Sequence, residues 1–190
     1  MKKRIIVGIS GASGIIYGIR LLEVLKSIDS VESHLIISES AELTLKLEVK
    51  DWSIEEVKNL ADIVYDIKDM AAKVSSGSFK TEGMIIAPCS IKTLSGIANS
   101  FNVNLLIRAA DVCLKERRKV VLIVRETPLN LSHIELMKKV ILNGGIILPP
   151  VPSFYHEPKD INDIINQTIG KALDQFNIEH NLFKRWGENE

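Results

Sequence analysis

Neither sign of charge prevails in this chain of 190 residues: 24 Lys and Arg stand against 24 Asp and Glu. No global basic field draws it to nucleic acid or anionic lipid, so an anionic ligand must be held by charge placed locally. Cysteine is scarce. Cys89 and Cys113 have no metal-site spacing to a histidine, which argues against a disulfide framework or a zinc ribbon and for two thiols in a reducing compartment. Long apolar runs are missing as well. Between Arg4 and Gly11 lie only about six mostly apolar residues, short of a signal-peptide core and far short of a membrane span, so the cytoplasm is the expected location. Internal repeats and low-complexity tracts are absent. A chain of this length buries roughly 70% of its unfolded surface as one domain, here 1–190, and needs no metal to hold it.

What is present is a series of short β-branched runs. RIIVGIS (4–10) is continuously apolar, the pattern of a strand buried on both faces of a parallel sheet, and similar runs recur at 34–37, 84–87, 119–124 and 146–148. Helix-like segments separate them: 13–27, with Ile15, Ile16, Ile19, Leu22 and Leu25 near helical spacing, then 104–118, 131–143 and 160–175. Alternating strand and helix predicts an α/β fold, a doubly wound parallel sheet with ligands bound beyond the strands' carboxyl ends. The polar stretch 49–82, ending in SSGSFKTEG, reads as a flexible insertion or mobile loop.

That rule of ligand placement selects five segments. Gly11-Ala12-Ser13-Gly14 opens a helix whose free N–H groups favour an anion. The full dinucleotide fingerprint is absent, although Glu39 lies roughly where a ribose-binding acid would, so a mononucleotide fits better; a plain turn with Ser13 as N-cap remains open. Ser38 stands after the second run as a crevice-edge residue or a helix cap. Pro88-Cys89-Ser90-Ile91-Lys92-Thr93 has Pro stopping the ladder and two hydroxyls three residues apart, able to hold a phosphate or a flavin edge, or merely to cap a helix. Arg108 and Lys115, seven apart, lie near one helix face and could reach one anion, while Glu116, Arg117 and Arg118 read as a solvated face. Arg125-Glu126 directly follows KVVLIV, offering a bidentate fork and a proton carrier, or a structural ion pair. Last, PPVPSFYHEP (149–158) presents Phe154, Tyr155 and His156 on a rigid loop suited to a small apolar pocket with a phenolic donor, and Lys171 lies on the following helix.

Taken together, GISGASGIIYGIRLLEVL, APCSIKTLSGIANS, NLLIRAADVCLKERRKVVLIVRETPL, GGIILPPVPSFYHEP and KRWGE resemble the flavin prenyltransferases of the UbiX type, a branch of the flavodoxin-like FMN-binding proteins. The motifs occur in the family's order over most of the chain, leaving 49–82 unmatched. The resemblance implies a homo-oligomer, commonly a dodecamer, with FMN at subunit interfaces. It implies condensation of dimethylallyl phosphate with reduced FMN at N5 and C6, without a metal, and a UbiD-type decarboxylase as recipient of the product.

By the same resemblance, Gly11, Ala12, Ser13, Ser38, Ser90, Ile91, Lys92, Thr93 and Arg125 match flavin-contacting positions. Tyr155 and Lys171 match phosphate-holding positions, with Lys115 and Arg125 adding charge. Glu126 and Glu48 match acidic active-site positions, Ser13, Lys115 and Arg108 join the catalytic set, and Trp186 matches an aromatic near the pocket. Many relatives carry Arg at position 171, so Lys here exchanges a planar fork for a point charge. Arg125, Tyr155 and Lys171 are expected to meet at one pocket. Rival readings are an FMN-dependent cysteine-type decarboxylase, whose relatives use a His after the first helix that this chain lacks, a NAD-linked reductase, and a non-catalytic flavin carrier or accessory subunit.

Overall fold

The computed structural model describes residues 2–187; Met1 and residues 188–190, including the final Glu of KRWGE, lie outside the described residues. Six parallel strands form one sheet: β1 (Lys3–Ile9), β2 (Val31–Ile37), β3 (Ile63–Tyr65), β4 (Gly83–Cys89), β5 (Lys119–Val124) and β6 (Ile146–Ile147). Their spatial order is β3-β2-β1-β4-β5-β6. The chain winds outward from β1 in one direction, returns past it, and winds outward from β4 in the other. The switch point between β1 and β4 is where the loops after the two strands part and leave a crevice.

Both faces of the sheet are covered, as the unbroken apolar runs require. On one face Ile5, Val7, Ile9, Leu35, Ile37, Ile85 and Val121 pack against α1 (Ile15–Lys26) and α7 (Ile161–Asp174). Alternate residues, among them Ile6, Ile36, Met84, Ile86, Val120 and Leu122, face α4 (Ile91–Ala98), α5 (Leu105–Lys115) and α6 (Leu131–Leu142). Each fully buried Ile or Leu contributes about 1.5–3 kcal/mol by leaving water. Gly18 sets the seating of α1: a Cβ there would lie 2.4 Å from the Ala87 carbonyl, so only glycine lets the helix approach β4 this closely.

The stretch 49–82 is not the structureless insertion that its polarity suggests. After α2 (Glu39–Glu48), Ser53 and Glu56 form a reciprocal capping box at the start of α3 (Ile54–Lys58), β3 adds to the sheet beside β2, and a 3₁₀ turn spans Lys73–Ser75. The buried anchors Val57, Ala72 and Val74 are too widely spaced to show a period. Pro88 also behaves differently from a simple stop. The strand continues to Cys89 with a shift of register after Ile86, and the Pro88 carbonyl accepts from the Ser10 N–H at 3.2 Å.

Candidate active site

The carboxyl ends of four strands are tied into one row. The Ser38 N–H donates to the Ile9 carbonyl at 2.9 Å, and the Arg125 N–H donates to the Cys89 carbonyl at 3.1 Å. Between them Ser10, 1% exposed, donates through Oγ to the Pro88 carbonyl at 3.0 Å and accepts from the Ser90 N–H at 2.8 Å. The row therefore gathers Gly11, Ala12 and Ser13 after β1, Ser38 after β2, Ser90 to Thr93 after β4, and Arg125 after β5. Sequence reasoning missed Ser10; its signal was a polar residue closing an otherwise apolar strand.

The start of α1 corrects one expectation. Gly14, with φ of 96°, occupies the N-cap position and no side chain of the turn caps the helix. Glu48, the last residue of α2, takes that role: its Oε2 accepts from the Gly14 N–H at 2.8 Å and the Ile15 N–H at 3.3 Å. The carboxylate satisfies orphan donors at the positive end of the helix dipole and leaves the Ser13 hydroxyl out of the cap. Ser38 and Ser90 do cap α2 and α4, through Ala41 and Thr93, and Ser90 also donates to Thr93 Oγ1 at 3.2 Å. The first N–H groups of α4, on Ile91 and Lys92, precede the helical ladder.

This donor set suits FMN. Neutral hydroxyls and backbone N–H groups match the uncharged ring edge, and the first turn of α4 with the Arg125 guanidinium matches a phosphate. Arg125 and Glu126 are both exposed and, among the described residues, form no ion pair with each other. The Glu126 carboxylate is therefore exposed rather than partly buried. Instead Oε1 accepts from the Thr127 N–H at 3.0 Å, which holds the carboxylate at the turn and leaves Oε2 for other partners.

Other sequence-selected residues lie outside this hydrogen-bonded row. Tyr155 packs edge-on against Trp186, ring centroids 5.7 Å apart. Lys171 is exposed in the last turn of α7. That helix ends at the amino edge of the sheet, where Lys119 Nζ and Lys3 Nζ bond the carbonyls of Gln175 and Asn177. Arg125 follows the opposite end of β5, so one chain does not bring Arg125 and Lys171 into one pocket. Arg108 and Lys115 do share a face of α5, beside the 75–77 segment, but their charges are engaged: Arg108 with Asp111 at 3.1 Å and the Ser75 carbonyl, Lys115 with Glu116. Arg118 is no solvated charge either, since it donates to the carbonyls of Phe79 and Gly77.

The remaining chemistry narrows accordingly. Burial pushes the Cys113 thiol up to about 11 and raises Cys89 further, so neither is a nucleophile at neutral pH. Glu39 pairs with Lys68 at 2.7 Å. His34 is buried between Glu32 and Tyr65, His133 completes the α6 capping box, and His156 and His180 face the C-terminal segment; none stands in the strand-end row. No helix among the described residues is long and apolar enough to cross a membrane.

Comparison with known proteins agrees with this geometry. The Flavoprotein family matches residues 1–172. Flavin prenyltransferase UbiX of Thauera aromatica is 60% identical over 187 residues, covering 98% of this chain and 95% of the relative. Among solved structures, AnUbiX (PadA1) in complex with FMN and dimethylallyl pyrophosphate superposes with a TM-score of 0.96 at 46% identity, covering 100% of both chains. A dodecameric FMN-dependent UbiX-like decarboxylase from Escherichia coli O157:H7 gives 0.94 at 44% identity, covering 96% and 98%. With a flavin-type cradle at the switch point and relatives of this similarity along the whole fold, the chain belongs to the UbiX family of flavin prenyltransferases.

Proposed function

We propose that the protein joins dimethylallyl phosphate to reduced FMN through flavin N5 and C6, and that the product serves a UbiD-type decarboxylase. The row of strand ends pinned by Ser10 carries this reading. It offers neutral donors to a ring and a cation to a phosphate, and it holds no thiolate or histidine that would serve a cysteine-type decarboxylase. FMN, when bound, supplies the nucleophilic atoms; the protein's residues manage the leaving group and the protons.

Ionising an allylic phosphate leaves a carbocation and a phosphate dianion, so the site must grip the anion and keep water from the cation. Tyr155 donates its phenolic hydrogen to the phosphate, and Lys171, Lys115 and Arg125 supply positive charge. Arg108 and Asp111 brace α5 so that Lys115 is presented. Glu126 moves a proton through Oε2 during closure of the new ring, while Glu48 fixes the turn bearing Ser13. Because Arg125 and Lys171 lie at opposite ends of the sheet, the complete site forms between chains of a homo-oligomer. A flavin carrier would share the cradle but would not consume the prenyl donor.

Anaerobic incubation of the protein with reduced FMN and dimethylallyl phosphate, or the diphosphate, followed by mass spectrometry of the flavin tests this. Addition of one five-carbon unit is expected; an unchanged flavin mass with both donors refutes it.

A further inference from the structure

The C-terminal segment 178–187 packs Ile178 and Leu182 on the core and gathers most of its polar ties to α7 on one carboxylate. Asp174, the last residue of that helix, accepts from Arg185 with both oxygens, Oδ2 from Nη1 at 3.1 Å and Oδ1 from Nη2 at 2.7 Å. Oδ1 also accepts from His180 Nε2 at 3.1 Å, while the same nitrogen donates to the Gly170 carbonyl at 3.0 Å. Two acceptors face that nitrogen, beside the Arg185 Nη2 at 3.4 Å, and Nδ1 accepts from the Leu182 N–H at 3.3 Å, so Nε2 carries the hydrogen. Gly170 makes room for the arrangement: a Cβ there would lie 2.5 Å from the Phe183 ring and 2.6 Å from His180.

Two aromatic contacts run from this segment to the loop bearing Tyr155. Phe183, beneath the Arg185 guanidinium, lies 6.5 Å from the His156 ring, and Trp186 meets Tyr155 with ring planes 87° apart. Among the described residues the loop's own hydrogen bonds are internal: Ser153 Oγ to His156 Nδ1, the Val151 N–H to the Pro149 carbonyl and the Glu157 N–H to the Phe154 carbonyl. We propose that Asp174 is a positioning residue that clamps the C-terminal segment on α7 and so holds Tyr155 in place through Trp186. This inference rests on the assignment of Tyr155 to the prenyl phosphate.

The test uses the full chain with Trp52→Phe, which leaves Trp186 as its single tryptophan. Asp174→Asn keeps the shape but removes the charge and one acceptor. Trp186 is already 82% exposed, so the readout is its mobility: steady-state anisotropy of Trp186 emission should fall. The KM for dimethylallyl phosphate should rise about tenfold, the loss of roughly one charge-assisted bond, with kcat within about threefold and FMN affinity unchanged. Arg185→Gln, at the exposed side of the pair, should reproduce both effects, and the double variant should be no worse than either single one; it also decides the question if Asp174→Asn fails to fold. Unchanged anisotropy, changed anisotropy with an unchanged KM, or additive effects would each overturn the clamp. If the parent protein transfers no prenyl group, the transferase reading falls and anisotropy alone decides whether Asp174 holds the segment.

Discussion

Ser10 and Ser90 are joined across the switch point: the Ser10 hydroxyl accepts the Ser90 N–H at 2.8 Å while donating to the Pro88 carbonyl at 3.0 Å. One buried hydroxyl thereby fixes the spacing between the turn after β1 and the start of α4, the two walls of the proposed flavin cradle. Ser10→Ala leaves a buried N–H and a carbonyl lone pair without that partner, at a cost of about 1–3 kcal/mol, so Tm should fall by roughly 2–10 °C. FMN titration should show weaker binding, with the KM for the prenyl phosphate much less affected. A variant that melts and binds FMN like the parent would remove Ser10 from the account.

Glu126 should matter to turnover and hardly to flavin binding. Glu126→Gln keeps the acceptor for the Thr127 N–H but cannot carry a proton, so kcat should drop by about 10²–10⁴-fold while FMN affinity stays within a factor of about two. Single-turnover kinetics beside FMN titration separate the two quantities. Parallel loss of both would mean that the carboxylate only shapes the turn.

Position 171 offers a gain rather than a loss. Lys171→Arg restores a planar fork able to bind a phosphate through two bonds, and the KM for dimethylallyl phosphate should fall by about three- to tenfold. Steady-state kinetics with FMN saturating would show it; a raised KM would place Lys171 away from the phosphate.

His34 makes stability depend on pH. It is fully buried, with Nε2–H donated to Glu32 at 2.9 Å and Nδ1 facing the Tyr65 hydroxyl at 2.9 Å. Burial pulls its pKa below the ordinary 6.5, outweighing the Glu32 carboxylate. The unfolded chain therefore binds a proton that the folded chain resists, and stability falls as pH drops below about 6.5. Above that value the contribution is fully present. Glu32, held low first by its bond from His34, acts in the same direction, but only below the usual carboxylate range. Denaturant melts between pH 7 and pH 5 should show the slope, and His34→Gln should flatten it; an equal slope in the variant would assign the effect to other groups.

The parts of this fold legible in the sequence were those with a long, unbroken pattern. RIIVGIS and KVVLIV could only be strands covered on both sides, and Gly11 to Gly14, Ser90 to Thr93 and Arg125 fall at strand ends by the logic of a parallel sheet. β3 escaped because three residues at a sheet edge, with Val64 40% exposed, carry no readable period. Glu48 was known only by resemblance, since its bond to the start of α1 spans 34 residues. Lys115 and Arg108 share the face that their spacing predicts, but Asp111 and the Ser75 carbonyl engage Arg108 and Glu116 engages Lys115, and the bond to Ser75 is a tertiary fact with no local signature. The Asp174, His180 and Arg185 cluster was invisible for the same reason.

The separation of Arg125 from Lys171, which stands near the amino edge of the sheet, makes the account's central claim specific: flavin cradle and phosphate grip belong to different chains of one assembly. Co-expression of two inactivated variants, Arg125→Ala and Lys171→Ala, tests it most directly. Random assembly between copies leaves about one site in four with both native residues, so mixed oligomers should regain roughly a quarter of the parental prenyl transfer. If each site were built within one chain, the mixture would stay as inactive as its components.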